Sequence, residues 1–558
     1  MKKTFSFFLF CFLFAIFIIL FSDSVSADFL NQSVIFSVDS KYEYSNRKQV
    51  LGTLRKISDK AYWYVSDDYW IGISESERNL FLQKLDGLTK EFDSRIYPIE
   101  TQFWGSEPNP GVDDDPRIVI FITRLIDLAG GYFDSSHLYR KSQVPESNER
   151  EMVFINSISI FNDRAAIFLA HEFQHLIGLQ QKDILRDITE DVWLNEARAE
   201  YSPRLLNYDE NYDTSNIRRR VFAFQSNPSE PLGEWKNETS DYGAITLFSY
   251  YLVDHYGEKI LVDSLKNGKI GIDSLNEAFL SNGFTETFSD VFSNWTMANI
   301  LNDEGIDSKF AYKSKHLKNF RISPSQSLAV YGTESTVSIF KTVKDWQPVW
   351  YEFNTPVNSS SLNLKIDFSA DSGTKFRVPY IAFRINGQKE IGFFSINGQT
   401  GTHFFKNFGS DIYKIILIPA NHSRTNNFTE NDPISSFSLK GQLTSEFQEI
   451  IPAPPQTIKS ISIQSLLDQI SALQNQINQL QKSTVSGLVR DLSIGSQGED
   501  VRALQNFLIK NGVYPEARIT GYFGNLTKNA VIRFQQKYAI SPRIGYVGAK
   551  TRAKIKEL

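Results

Sequence analysis

The chain has almost no cysteine, no excess of either charge and, beyond its first two dozen residues, no long apolar run. Its one cysteine among 558 residues is Cys11, inside the N-terminal leader, so disulfides, a thiol nucleophile and a thiolate metal site are excluded from an exported chain. Any zinc would have to sit on histidine and carboxylate. Lysine and arginine number 59 against 64 aspartates and glutamates, a formal net charge of -5, which gives no reason to expect a nucleic-acid partner. No segment after the leader is long and apolar enough to span a bilayer. What is present is globular material: 14% aromatic and 22% charged residues argue against disorder, and the length calls for several domains.

Residues 1–27 read as a signal peptide. Lys2 and Lys3 precede a Phe/Leu/Ile-rich run from Phe5 to Phe21, and the small residues Val25-Ser26-Ala27 suit cleavage before Asp28. The expectation is an exported protein: extracellular, periplasmic or cell-wall associated. The run is long for a leader, so the alternative is an uncleaved membrane anchor. The Lys-Lys start looks bacterial.

Residues 28–331 mix strand-like and helix-like segments without a proline-rich break and are expected to form one α+β catalytic region. Whether 28–94 is a removable propeptide or part of the fold stays open at this level. Arg117 to Ile122 reads as a buried strand entered from Asp113-Asp114-Asp115-Pro116. Asp113 to Asp115 could take Ca2+, although a charged turn before a strand explains them as well. Met152 to Ile155 reads as a second strand. A helix follows, with Asn162 or Asp163 as N-cap, a stop at Gly178, and an apolar surface from residues such as Leu169, Phe173 and Ile177.

From 332 to 447 the pattern changes to period two. Leu362, Leu364, Ile366 and Phe368 alternate with Asn363, Lys365 and Asp367, and Asn386-Gly387 and Asn397-Gly398 are turn signals. This is expected to be a β-sandwich-like module that packs, positions or binds. Residues 448–486 comprise the stiff Pro452-Ala453-Pro454-Pro455 linker and a short coiled-coil helix, with Ile463, Ile470 and Ile477 at a positions and Leu466, Leu473 and Leu480 at d positions. That pattern favours a parallel homodimer through 461–482, against a solitary spacer helix or one packed in cis. Residues 487–558 carry a partial internal repeat, in which Gly521-Tyr522-Phe523-Gly524 and Gly545-Tyr546-Val547-Gly548 each open a helical segment, and are expected to form a small three-helix domain.

The chemistry concentrates in His171-Glu172-Phe173-Gln174-His175. On a helix the two histidines fall at i and i+4 on one face, where both imidazoles can reach one zinc ion. Two histidines underfill the site. Glu196, in Trp193-Leu194-Asn195-Glu196-Ala197, is the candidate third ligand, leaving a fourth position for water as a catalytic zinc requires. Glu200, one turn further on, would accept the ring N–H of a liganding histidine, His171 by preference. Glu172 would act as general base on a zinc-activated water and then hand the proton to the leaving amine. Tyr242 is the candidate donor to the tetrahedral oxyanion, with His255 a weaker one. The bland readings are a surface helix for the five-residue motif, a solvated helix face for Glu200 and core packing for Tyr242.

At these residues the chain resembles the gluzincin metallopeptidases, whose third ligand is the glutamate of a downstream Asn-Glu pair, here Asn195-Glu196. The nearer likeness is to the hyicolysin-type neutral zinc metallopeptidases. It runs from about Arg95 to Leu301 and rests on the two zinc motifs, on Gly130-Gly131-Tyr132-Phe133 and on Ser147 to Met152. Many relatives have glycine after the ligand glutamate; Ala197 departs from that and leaves the ligands intact. The resemblance implies a thermolysin-like zincin unit, endopeptidase activity, and a strand along which peptide lies in β fashion, placed at Met152 to Ile155. Leu492 to Gly498, Leu504-Gln505, the Gly521 to Gly524 turn and Val531 to Gln535 look like a bacterial peptidoglycan-binding domain, which implies peptidoglycan as a partner through 487–558.

The expectation is therefore a secreted zinc endopeptidase with one catalytic Zn2+, acting on protein or peptide and tethered to the cell wall. The β module and spacer helix would hold its catalytic unit away from the anchor. Two rivals stand beside it: a hydrolase of peptidoglycan cross-bridges using the same site, and a wall-associated adhesin or scaffold whose metal site is inactive.

Overall fold

The computed structural model describes residues 27–162, 164–332, 335–446, 490–514 and 519–558. The expected leader up to Ser26, the proline-rich linker and the coiled-coil helix lie outside the described residues. The protein is multidomain α+β, and its chain divides into two compact units at Ile177/Gly178. Among the described residues no helix is long and apolar enough to cross a membrane.

The first unit is built on a six-stranded mixed sheet in the order β1 (Ser33–Ser37), β2 (Gln49–Ile57), β3 (Ala61–Ser66), β4 (Ile118–Thr123), β6 (Met152–Asn156), β5 (Gly131–Phe133). Strands β3, β4 and β6 run parallel, while β1, β2 and β5 are antiparallel to their neighbours. β4 and β6 are buried along their whole length, as near-continuous apolar runs covered on both faces should be. One face contributes Tyr64, Phe121 and Phe154 to a core with Phe36 and Tyr132. Helix α1 (Glu75–Glu91) starts in a capping box between Ser74 and Glu77.

Residues 28–94 are part of this fold. They supply β1, β2, β3 and α1, and Asp28 itself accepts from Tyr64 Oη at 2.8 Å and from Arg150 Nη2 at 3.1 Å. The strand expected at Met152 to Ile155 exists, but it is not an open edge. It pairs with β4 on one side (Ile120↔Val153, Phe121↔Phe154) and with β5 on the other (Tyr132↔Phe154, Phe133↔Val153). The edge belongs to β5.

Helix α2 (Ala165–Leu179) carries the histidine motif. Asn162 Oδ1 accepts from Arg164 N at 3.2 Å ahead of it; Asp163 lies outside the described residues. The helix does not stop at Gly178. It passes into a π-helical turn, Gln180–Ile184, because the chain beyond it is held: Lys182 is buried and donates to Asn267 O at 3.3 Å, 3.5 Å from Glu190.

In the second unit, α3 (Val192–Ala199), α4 (Asn216–Ser226), α5 (Thr239–Tyr256) and α6 (Phe288–Leu301) are the helices that bear on the site. The expected β-sandwich-like module is present as two sheets. One orders Thr400–Phe405, Asn363–Ala370, Ser435–Thr444 and Thr336–Val343; the other orders Lys389–Phe393, Pro379–Arg384, Ile412–Leu417, Tyr351–Asn354 and Gln326–Ala329. Its first strand thus lies ahead of residue 332. Leu364, Ile366 and Phe368 point into the shared core, as their alternation requires. Asn386-Gly387 turns a hairpin between Pro379–Arg384 and Lys389–Phe393, whereas Asn397-Gly398 carries the chain from one sheet to the other.

This module is packed on the helices rather than spaced from them. Trp350 Nε1 donates to Thr296 O at 3.0 Å, Trp346 stands edge-on to Phe288 and Phe292 at 4.9 and 5.2 Å, and Arg377 pairs with Asp290 at 2.7 Å. Its loop at Asn427 and Phe428 donates two backbone N–H groups to Asp191, the N-cap residue of α3, at 3.1 and 3.3 Å. Burial pushes the Asp191 carboxyl up to about 7.

The C-terminal helices α7 (Glu499–Lys510), α8 (Asn525–Lys537) and α9 (Ala549–Glu557) enclose a small core of Val501, Leu504, Phe523, Val531, Phe534 and Ile555. The internal repeat is real at the level of bonds. Gln505 accepts from Gly521 N (2.9 Å) and donates to Tyr522 O (2.8 Å) and Thr527 Oγ1 (2.9 Å). Gln535 makes the same three bonds to Gly545 N (3.0 Å), Tyr546 O (2.8 Å) and Thr551 Oγ1 (3.1 Å). Each buried glutamine thereby satisfies the polar backbone of the glycine turn that follows it.

Candidate metal centre

Three sequence-predicted ligands are brought together. His171, His175 and Glu196 each offer a ligand atom, and these atoms lie within 4.8 Å of one another. His171 Nε2 and His175 Nε2 face each other at 3.1 Å. Two nitrogens on a tetrahedral zinc, with bonds of about 2.0–2.1 Å, stand roughly 3.3 Å apart. The residues fit the ion in donor type, number and spacing. No other such group occurs among the described residues. At the Asp113–Asp115 turn, Asp113 Oδ1 accepts from Asp115 N at 3.1 Å, and Asp115 accepts from Arg117 N at 2.9 Å and Tyr62 Oη at 2.8 Å.

Helix α2 holds its histidines by burying the opposite face. Leu169, Phe173, Leu176 and Ile177 are fully buried, and the Phe173 ring lies edge-on to Phe92 at 5.2 Å and stacked on Tyr97 at 5.4 Å. Strand β5 crosses the polar face. Phe133 stacks on His175 at 6.4 Å, and a Cβ built on Gly131 would stand 2.7 Å from Phe154 O and 2.9 Å from Glu172 Cγ. Only a residue without a side chain allows the edge strand to lie this close to the Glu172 carboxylate. Gly131→Ala is therefore expected to displace Glu172 and lower turnover by about 10²-fold, the scale for an ångström of misplacement. Metal content should not change; an alanine variant with wild-type kcat would sink the argument.

Glu200 caps α3 and is buried. It accepts Arg220 Nε at 2.8 Å, Arg220 Nη2 at 2.6 Å, Asn216 Nδ2 at 2.9 Å and Thr246 Oγ1 at 3.1 Å, so a bidentate arginine pair dominates its bonding. Burial works against the Arg220 charge, but the Glu200 carboxylate outweighs it and holds the guanidinium pKa above its usual value. Tyr242 lies under the same guanidinium, 4.4 Å from ring centroid to Cζ, and its Oη donates to Asn237 at 2.9 Å. His255 Nε2 is 2.9 Å from Ala311 O.

Arg220, Asn216 and Thr246 escaped the sequence reading. A signal for Arg220 was there: it shares one face of α4 with the buried Ile217, Val221 and Phe224, where a solvated arginine would not sit.

The family model for a peptidoglycan-binding domain matches residues 497–555, the helices with the paired glutamine anchors. Residues 497–555 are a peptidoglycan-binding domain. No curated protein matches the chain. Among solved structures, the ZmpB metallopeptidase from Clostridium perfringens is 14% identical over 66% of this chain and 67% of its own, with a TM-score of 0.23. The pre-peptidase C-terminal domain of a collagenase from Bacillus anthracis is 11% identical over 22% of this chain and 98% of its own, with a TM-score of 0.15. These likenesses are too slight to establish a shared fold.

Proposed function

We propose that the chain is an exported, wall-associated zinc endopeptidase of gluzincin type. The observation that carries this reading is the convergence of His171, His175 and Glu196 on the helix whose next residue, Glu172, lies against an edge strand. Zinc, when bound, would supply the Lewis acidity that polarises a peptide carbonyl and makes water nucleophilic at neutral pH. Peptide would add to the outer side of β5, which offers backbone bonds without reading side chains. Glu172 takes the proton of the attacking water and returns it to the leaving amine. Tyr242 donates to the oxyanion, while Arg220 fixes the Glu200 carboxylate one turn beyond Glu196. The peptidoglycan-binding domain keeps the enzyme at the wall.

That same domain favours one second reading, hydrolysis of peptidoglycan cross-bridges with the same residues. Purified protein should degrade casein in a chelator-sensitive way. Release of soluble fragments from isolated sacculi with casein left intact would select the second reading, and neither activity would leave the scaffold. Glu196→Ala is expected to reduce bound zinc from one equivalent to a small fraction, because two histidines alone underfill the ion. A full equivalent retained after dialysis would remove Glu196 from the ligand set.

A further inference from the structure

The helix that carries Glu196 gives up its own cap to hold the β module. Asp191 is the N-cap residue of α3, yet its side chain makes no capping bond, where an aspartate ordinarily accepts from an N–H of the first turn. The carboxylate instead takes the backbone N–H groups of Asn427 and Phe428, at 3.1 and 3.3 Å, from a loop of the β module. Asp191 is 5% exposed, so these bonds are made away from water, where they are strongest.

Three segments meet closely at this carboxylate. Gly271, at φ 54, lies against it: a built Cβ would stand 2.2 Å from Asp191 Oδ2 and 2.9 Å from Thr425 O of the loop. Ile272 N donates to the same Thr425 O at 2.8 Å, and Gly271 N donates to Glu190 Oε1 at 2.6 Å. Glu190 also reaches the far end of α3, since its Oε2 accepts from the fully buried Arg198 at 2.8 Å. The Phe428 ring stands edge-on to Trp193, in the first turn of α3, at 6.5 Å. The loop itself is braced: Arg424 O accepts from Trp346 Nε1 at 2.6 Å, and Asp432 accepts from Thr429 N at 2.9 Å. Helix α3 is thus gripped at both ends, and the grip on its first turn comes from the β module.

We propose that Asp191 is a positioning residue for the metal centre: through it the 427–428 loop fixes the start of α3, and with it Glu196, so that the β module sets how tightly zinc is held. The proposal rests on Glu196 as a ligand. Two histidines supply only part of what the ion needs, and a third donor contributes its full share only when its helix is fixed beforehand.

Zinc affinity of the full-length protein, measured by competition with a chromophoric chelator, tests this without any turnover. Asp191→Asn keeps the shape and capping preference of the position but turns an amide N–H toward one of the two loop N–H groups. It should weaken zinc binding about 10-fold, the lower end of what loss of a group supporting a metal ligand costs, with the circular dichroism of the metal-free protein unchanged. Its cobalt form should differ from wild type in visible absorption, which reads the donor set and geometry at the ion; a merely structural role would leave that spectrum as it is. Phe428→Ala loosens the same clamp from the module's side and should weaken zinc in the same direction, which keeps the test open should Asp191→Asn not fold. Arg377→Ala breaks a different bond between module and helices, the 2.7 Å pair with Asp290, and should leave zinc affinity unchanged. Wild-type affinity in Asp191→Asn overturns the proposal, as does an equal loss in Arg377→Ala. A wild type that takes up no metal would overturn the ligand reading itself, and the wild-type measurement alone tells that failure apart.

Discussion

Glu172→Gln is expected to lower peptide turnover by about 10²- to 10⁴-fold, the range general-base catalysis supplies, with zinc content and melting temperature unchanged. Glutamine has nearly the shape of glutamate, and the site demands that shape: Glu172 is buried, with its Cγ facing Gly131. The substitution keeps the packing and removes the proton acceptor. His171 and His175 sit on the same helix and are untouched, so the ligand atoms stay where they are. The loss should appear in kcat rather than KM, because the missing interaction is made only as the water is deprotonated. Undiminished cleavage by a zinc-loaded variant would take Glu172 out of the mechanism.

Removal of residues 28–94 is expected to abolish folding of the first unit. The deletion takes away β3, the parallel partner of β4 over Ala61↔Ile118 to Val65↔Ile122. It also removes Tyr62, Trp63, Tyr64, Val65, Phe81 and Leu85, each 2% exposed or less. At about 1.5–3 kcal/mol for each large apolar side chain, the loss of these six alone is as large as the roughly 5–15 kcal/mol by which a whole domain is stable. The truncated protein should be insoluble or melt without a cooperative transition. A propeptide would behave oppositely, leaving a folded and active remainder, and recovery of chelator-sensitive activity after the cut would overturn the assignment.

Much of the site was legible in the primary structure, and the reason is locality. The spacing of His171 and His175 is a property of one helix turn, and the alternation of Leu364, Ile366 and Phe368 is a property of one strand. The repeated Gly-Tyr-x-Gly turns after Gln505 and Gln535 are legible for the same reason, since each glutamine serves only the turn that follows it. What misled was partner choice. Met152 to Ile155 looks like a strand from its own residues, but nothing in them says that Gly131 to Phe133 will take its second side. Nor does the sequence around Glu200 say that its carboxylate will accept from an arginine on a helix that begins at Asn216.

By itself the sequence determined the residue types of the candidate metal site and their helical spacing, the lack of cysteine beyond Cys11, the period-two module and the repeat of the peptidoglycan-binding domain. These follow from side-chain chemistry and from the 3.6- and 2-residue periods of the backbone. Only the tertiary structure decided that residues 28–94 belong to the sheet and that β5 is its edge beside Glu172. It alone seated the β module on the N-cap of the Glu196 helix. Each is a pairing between segments far apart in the chain, settled by which surfaces exclude water together, and no local pattern of residues encodes that choice.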